Sequence, residues 1–333
     1  MNNNFPFVSF VIACLNEEKY ISQCLNSILN QEYPKDKFEI LVVDGMSQDG
    51  TRSILNKYAS EYACIKIIDN PDKITPKAFN LGIKNSTGEI ITIISAHADY
   101  DKTYISKCVE YLNKTGVDNV GGPMRAVGID YISKAIAFVY NSSFGLGGGK
   151  FHDENWEGEA ETVYPGCWRK EVFEKVGLFD ERLVRNQDIE FDTRSRKKGI
   201  KIYLTPEIKT VYYCRSNLSG LWKQNFRNGF WNIKTMSINP QSLSVRHFVP
   251  LFFVLALLFG WAIKFLWFFV ITSYVMCNLF FSLKIAVKNG MKYLFVIPAV
   301  FLVLHLSYGF GLMWGLMRYV KRNDADEGRS NKL

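Results

Sequence analysis

Three nearly uninterrupted apolar runs, Phe248–Ile263, Phe265–Leu283 and Tyr293–Met317, close the chain's C-terminal part. They are broken only by Lys264 and by a loop carrying Lys284, Lys288 and Lys292. A helix of about 20 apolar residues spans the hydrocarbon core of a bilayer, and charge-free runs of this length are improbable in a soluble core. A membrane region is therefore expected over residues 247–318, followed by a polar tail over 319–333. Three full crossings leave Arg318, Lys321 and Arg322 on the outer side, against the positive-inside tendency, and a segment lying in the interface would relieve that conflict.

What precedes the runs is different in kind. Residues 1–220 have the composition of a globular domain, and 221–246 form an amphipathic approach to the membrane. In that approach Trp222, Phe226, Phe230 and Trp231 recur at helical spacing among Lys223, Arg227, Lys234 and Arg246, the mixture that collects at headgroups. The formal net charge of +8 is read in the same way, as a membrane surface and not as a nucleic-acid partner. Met1–Pro6 is polar and Phe7–Ala13 is short, so no signal peptide is expected and the globular domain is placed on the cytosolic face of the cell (inner or plasma) membrane. Seven cysteines without any Cys-x-x-Cys pair fit reduced structural thiols.

Within the first 220 residues strand and helix patterns alternate. Phe7–Ala13, Phe38–Val43, Ile65–Ile68 and Ile90–Ile94 are short, β-branched apolar runs, and between them Ile21, Leu25, Ile28 and Leu29 repeat at the spacing of a helix face. Helical stretches are also expected after the Ser47–Thr51 cap and over Pro76–Ile83. This order predicts an α/β fold with a mostly parallel sheet and helices on both faces. Ligands in such sheets sit beyond the carboxyl ends of the strands. Asn16 with Glu17, Asp44, and Ser95 to Asp99 all fall at such ends, and their coincidence points to a nucleotide pocket.

The segments VSFVIACLNEEKYISQCLNSILNQ and ILVVDGMSQDGT resemble the opening of family 2 glycosyltransferases, which have the GT-A nucleotide-sugar fold, and the likeness runs from about Val8 to Trp231. The resemblance implies that Asn16 and Glu17 line the nucleotide pocket and that Asp44 accepts a hydrogen bond from the base. It places Lys77 and Asn80, in PKAFNLG, beside the diphosphate, where a lysine acts as a point charge. The metal-binding Asp-x-Asp of the family falls on Ser95 and His97. A divalent cofactor, Mn²⁺ or Mg²⁺, would then rest on His97 and on Asp99, which faces the same way if the chain stays extended. The wording Ala-His-Ala-x-Tyr resembles one subgroup, the succinoglycan-type exopolysaccharide glucosyltransferases.

Further on, ETVYPGCWRKEVFEKVGLFDERLVRNQDIEFD resembles the acceptor-side block, in which an acidic residue serves as base; the matching position is Asp188, with Gln187 where Glu is commoner. Asp188 and Glu190 also fit an acidic first helical turn. Glu161, in an acidic aromatic stretch with Trp156, suits a sugar acceptor. Gln224, Arg227 and Trp231 resemble the Gln-x-x-Arg-Trp element of processive relatives, with the Trp displaced, and an arginine there can clamp a diphosphate. FGLGGGKF, residues 144–151, lacks phosphate-loop spacing and reads as a mobile loop. Together these features predict a membrane-anchored, inverting hexosyltransferase that moves a sugar from a nucleotide sugar, UDP-linked in the first place, to a lipid-linked glycan in surface polysaccharide assembly. A polyprenyl-phosphate glycosyltransferase and, because Ser95 lacks a carboxylate, a non-catalytic nucleotide-sugar-binding protein are the alternatives.

Overall fold

The computed structural model describes residues 5–330, with side chains as far as Tyr319. Lys321 and Arg322, on which the topology conflict partly rests, therefore lie outside the described side chains, as does most of the expected polar tail. The chain divides into two compact units, one of Met1–Arg125 with Lys150–Tyr212 and one of Ala126–Gly149 with Tyr213–Leu333. The expected globular domain, residues 1–220, includes the segment 126–149, which falls in the second unit instead. Its apolar helix, Tyr131–Tyr140, explains the difference, because its aromatic side chains stack within the second unit.

In the first unit the order is β1 (Val8–Cys14), α1 (Ile21–Leu29), β2 (Phe38–Asp44), α2 (Thr51–Glu61), β3 (Ile65–Asp69), α3 (Thr75–Asn85), β4 (Ile90–Ser95), β5 (Asp99–Tyr100), α4 (Tyr104–Thr115) and β6 (Asn119–Gly122). A short strand β7 (Arg125–Val127) leads into α5 (Tyr131–Tyr140) of the second unit. The chain returns with β8 (Gly158–Glu159), β9 (Tyr164–Arg169), α6 (Glu171–Val176), α7 (Gln187–Lys197), β10 (Ile202–Leu204) and β11 (Thr210–Tyr213). The main sheet has the order β3-β2-β1-β4-β9-β6-β10-β8. Strands β3, β2, β1 and β4 run parallel, whereas β9 lies antiparallel between β4 and β6.

Each of the four parallel strands extends one residue beyond its apolar run, so that Cys14, Asp44, Asp69 and Ser95 belong to the sheet itself. The register pairs Cys14 with Asp44, Asp44 with Asp69, and Ala13 with Ser95, which brings the polar strand ends level along one rim. Alternation along β1 divides the core. Val8, Phe10 and Ile12 face the side covered by α1, α2 and α4, and Val11 faces the side covered by α3, α6 and α7. Helix α3 comes close to β1 at Gly82, where a Cβ would stand 2.2 Å from a methyl of Val11. Any larger residue there would push α3 off the sheet and shift the cavity wall that it carries.

The second unit contains α5, α8 (Leu218–Ile238), α9 (Val249–Phe259), α10 (Lys264–Asn289) and α11 (Ile297–Ser330). Val245–Ala262, Lys264–Asn289 and Ile297–Tyr319 are long and apolar enough to cross a membrane. Exposed Phe265, Phe268 and Phe280 on α10 suit contact with lipid. Helices α8 and α11 meet backbone to backbone at Gly311, whose missing Cβ leaves room for the Phe226 carbonyl, a small-residue contact of the kind that joins membrane helices. The glycine-rich loop is anchored at its start. Phe144 stacks on Phe281, packs on Phe301 and His305, and its carbonyl lies 2.9 Å from Nε2 of His305.

Candidate active site

A cavity of about 330 Å³ opens at the level strand ends of the first unit. Its floor is made by Cys14, Ile94 and Ser95, and its walls include Glu17, Asn70, Lys73, His97, Thr162, Asp188 and Asp192. A second, more open depression beside it is lined by Asp44, Ser47, Arg52 and Asp69, and Lys73 borders both. Four non-glycine residues adopt left-handed backbone among the described residues, Asn16, Met46, Lys73 and Asn186. Lys73 and Met46 line these two depressions, and Asn16 and Asn186 each precede a residue that does. Such conformations are costly for side chains other than Asn and Asp and gather where the surrounding structure enforces them.

The rim next to β1 and β2 is held together by its own polar groups. Ser47 donates to Asp44 from its hydroxyl at 2.6 Å, Arg52 reaches Asp44 at 3.0 Å and Asp69 at 2.6 Å, and Asn16 accepts from the backbone N–H of Gln48 at 2.9 Å. Asp44 is thus buried and ion-paired, and it lines the second depression. The predicted diphosphate neighbours stand differently. Lys77 pairs with Asp72 at 2.9 Å, and neither Lys77 nor Asn80 lines the cavity. Asn80 uses both ends of its amide to hold the turn before α7, accepting from the Phe179 N–H and donating to the Phe179 carbonyl and to Glu181. The cation that does line the cavity is Lys73, in the turn before α3 and absent from the expected site residues.

At the end of β4 the expected extended path does not occur. The chain turns at Ala96 and His97, closed by the Ala98 N–H on the Ser95 carbonyl at 3.2 Å, so alternation no longer brings His97 and Asp99 to one side. Asp99 enters β5, pairs with Val211 of β11 and does not line the cavity. His97 instead faces Glu17, with Nδ1 3.3 Å from Oε1. Among the described residues no cluster of three His, Cys, Asp or Glu side chains is assembled for a metal.

The opposite wall is built by α7 and the approach to β9. Glu190, buried and hydrogen-bonded to Arg194 at 2.9 Å, is a structural acid. Asp188 lines the cavity, and the protein packed around it raises its carboxyl above the ordinary aspartate value although the side chain stays open to the cavity. One turn further along α7, Asp192 also lines the cavity, is only 5% exposed and accepts from the Thr162 hydroxyl at 2.6 Å. Burial pushes its carboxyl up to about 7, with Thr162 opposing and the charge of Asp188 adding to the rise. Glu161, next to Thr162, is exposed and does not line the cavity. Gln224, Arg227 and Trp231 belong to α8 of the second unit, where Gln224 accepts from Arg215 at 2.8 Å and Lys234 lies 5.1 Å over the Trp231 ring.

Residues 9–176 match glycosyl transferase family 2, half of the chain. The chain belongs to that family. Among curated relatives, a dolichyl N-acetyl-alpha-D-glucosaminyl phosphate 3-beta-D-2,3-diacetamido-2,3-dideoxy-beta-D-glucuronosyltransferase of Methanococcus voltae is 29% identical over 323 residues, 94% of this chain and 98% of the relative. The succinoglycan biosynthesis protein ExoA of Rhizobium meliloti (strain 1021) is 32% identical over 243 residues, 72% of this chain and 73% of the relative. A solved mannosyltransferase from Pyrobaculum calidifontis, in complex with GDP-Man and Mn²⁺, superposes with a TM-score of 0.61 at 18% identity, covering 92% of this chain and 88% of that one. The family 2 chain is accordingly a glycosyltransferase with a GT-A fold, and it carries three long apolar helices that could span a membrane.

Proposed function

We propose that this glycosyltransferase transfers one sugar, with inversion, from a nucleotide sugar to a lipid-linked glycan at the cytosolic face of the cell membrane. The observation that carries the reading is the placement of Asp188, a carboxylate open to the cavity at the same strand-end rim as the β1, β2 and β4 polar residues. Asp188 takes the proton of the acceptor hydroxyl while that oxygen bonds to the anomeric carbon from the face opposite the leaving group. The bond from the anomeric carbon to the diphosphate oxygen breaks, and the nucleoside diphosphate departs with that electron pair. Asp44, Asn16 and Glu17 are assigned to the nucleotide end, with Lys73, which lines the cavity, as the cation for the diphosphate.

The donor set at the rim fits a divalent ion in part. His97 and Glu17 offer one imidazole nitrogen and one carboxylate, and the diphosphate oxygens would complete the shell, a mixture better suited to Mn²⁺ than to Mg²⁺. Such an ion would supply charge neutralisation on the leaving diphosphate. The lipid-linked acceptor is supported by the M. voltae relative, whose name gives a dolichyl-linked sugar phosphate as acceptor, and the role in surface polysaccharide by the name of ExoA. The basic, aromatic face of α8, where Arg227 and Trp231 stand, suits a headgroup region near the acceptor.

The test is a donor screen. The full chain in detergent is incubated with radiolabelled UDP- and GDP-sugars, lipid extract from its own membranes and Mn²⁺, and the product is partitioned into butanol. Label moving into the organic phase, in an anomeric configuration opposite to that of the donor, is expected. Label appearing only on a water-soluble acceptor, or retention of configuration, would overturn the reading. Full turnover in excess chelator would remove the metal and leave Lys73 as counter-charge for the diphosphate.

A further inference from the structure

Two carboxyl groups, four residues apart on α7, face the same cavity, and the inner one is almost wholly enclosed. Residues at this spacing sit one above the other on a helix, and like charges so placed repel. A structural acid in such a position would be expected to find a cation, as Glu190 finds Arg194 on the same helix. Among the described residues Asp192 does not; its hydrogen bond is to the neutral hydroxyl of Thr162.

We propose that Asp192 is a positioning residue for the base, a second carboxyl whose charge, governed by Thr162, sets how strongly Asp188 takes the acceptor's proton. The inference rests on Asp188 being the base. With Asp192 ionised, the pair carries two negative charges before transfer and one after it, so the uptake of the acceptor proton by Asp188 relieves repulsion and the base is strengthened. With Asp192 protonated, that relief is absent and Asp188 is a weaker base.

The groups that face Asp192 fix the direction of these effects. Burial raises its proton affinity, the Thr162 hydroxyl lowers it, the Asp188 charge raises it and Arg196, one turn on, lowers it, which leaves the carboxyl titrating at about 7. The other titratable groups lining the cavity are Cys14, Glu17, Lys73, His97 and Tyr164. On Asp188 burial raises the carboxyl, and the Ile189 N–H and the charge of Arg185 oppose the rise. Thr162 serves as more than a spacer: its hydrogen bond favours the ionised form of Asp192 and so the stronger form of the base.

The experiment compares pH profiles of kcat and KM for the full chain, using the UDP- or GDP-sugar that is active in the screen and the same lipid extract. Asp192→Asn keeps the shape and the bond to Thr162 but removes the charge. It should lower the plateau kcat about three- to tenfold through a weaker base and move the acid limb to lower pH, with donor KM changed less than about twofold. Thr162→Val, which leaves the carboxyl in place but raises its proton affinity, should lower kcat near pH 7 and recover it at higher pH, moving the acid limb upward. Profiles of both variants superimposed on the parent's, with Asp188→Asn inactive, would overturn the inference and leave the base assignment standing. Normal turnover by Asp188→Asn would overturn the base assignment and the inference with it. Should Asp192→Asn not fold, the Thr162→Val profile alone decides, shifted or not.

Discussion

Along β1 and β2 the polar strand ends are tied to one another: Ser47 and Arg52 hold Asp44, Arg52 also holds Asp69, and Asn16 holds Gln48. Across the cavity, on α7, no cation lies at hydrogen-bond distance from the Asp188 or Asp192 carboxylate among the described residues, and burial raises both above the ordinary aspartate value. The first arrangement fixes shape. It presents a rigid, satisfied surface to a ligand that binds and leaves unchanged. The second stores proton affinity, at a cost in stability, where a proton has to move.

If that contrast is right, the largest effect belongs to the α7 wall and to turnover. Asp188→Asn should lower kcat by about 10² to 10⁴ while donor affinity, measured by calorimetry, stays within about twofold, because a base acts in the transition state. Equal loss of kcat and donor affinity would put Asp188 on the binding side and dissolve the distinction. Next comes stability. The folded chain holds the Asp192 proton up to about 7, above the unfolded value, so more protons are bound folded than unfolded and stability falls as pH rises through this window. Asp192→Asn should therefore stabilise the protein by roughly 2 to 4 kcal/mol at pH 8 and by almost nothing near pH 4. Denaturant titrations at the two pH values check it, and a pH-independent difference would mean that the acid is not strained.

The rim should respond in the opposite way. Asp44→Ala removes a partner from Ser47 and Arg52 and is expected to weaken donor binding by about 1 to 3 kcal/mol with kcat at saturation little altered. A dominant kcat effect would make the rim catalytic. The smallest effect should follow Lys77→Ala, whose solvent-screened pair with Asp72 contributes little to stability. Lys73→Ala should cost more donor affinity than Lys77→Ala, and the reverse order would restore Lys77 to the diphosphate.

The parallel half of the sheet was legible because its signal is local. Apolar β-branched runs ending in polar residues marked β1 to β4 to within a residue, and the level rim followed from their parallel order. The antiparallel strand β9 carries little such signal, since Pro165 and Gly166 interrupt it and its partners β4 and β6 are distant in sequence. Asp188 could be named from a resemblance, whereas Asp192 could not: a lone Asp within QDIEFDTRSRKK looks like a solvated helix face until Thr162, 30 residues earlier, is placed against it. The pairing of His97 with Asp99 failed for a related reason. Strand alternation holds only while the backbone stays extended, and a single hydrogen bond from Ala98 to Ser95 turned the chain. Lys73 was hidden by its left-handed backbone, which nothing in NPDKITPK announces.

The anchoring of Phe144 has a practical side for anyone wishing to produce this enzyme without a membrane. Cutting the gene before Val249 would leave α5 and the glycine-rich loop in the product while deleting Tyr293, Phe281, Phe301 and His305, the surfaces on which Tyr131 and Phe144 rest. The truncated chain would emerge with aromatic rings in want of a home and a tendency to clump. A workable soluble version excises 126–149, joining Arg125 to Lys150 with a short linker, and ends near Tyr212, since α8 rests on α11 at Gly311; its limits then follow the compact unit and not the order of the sequence.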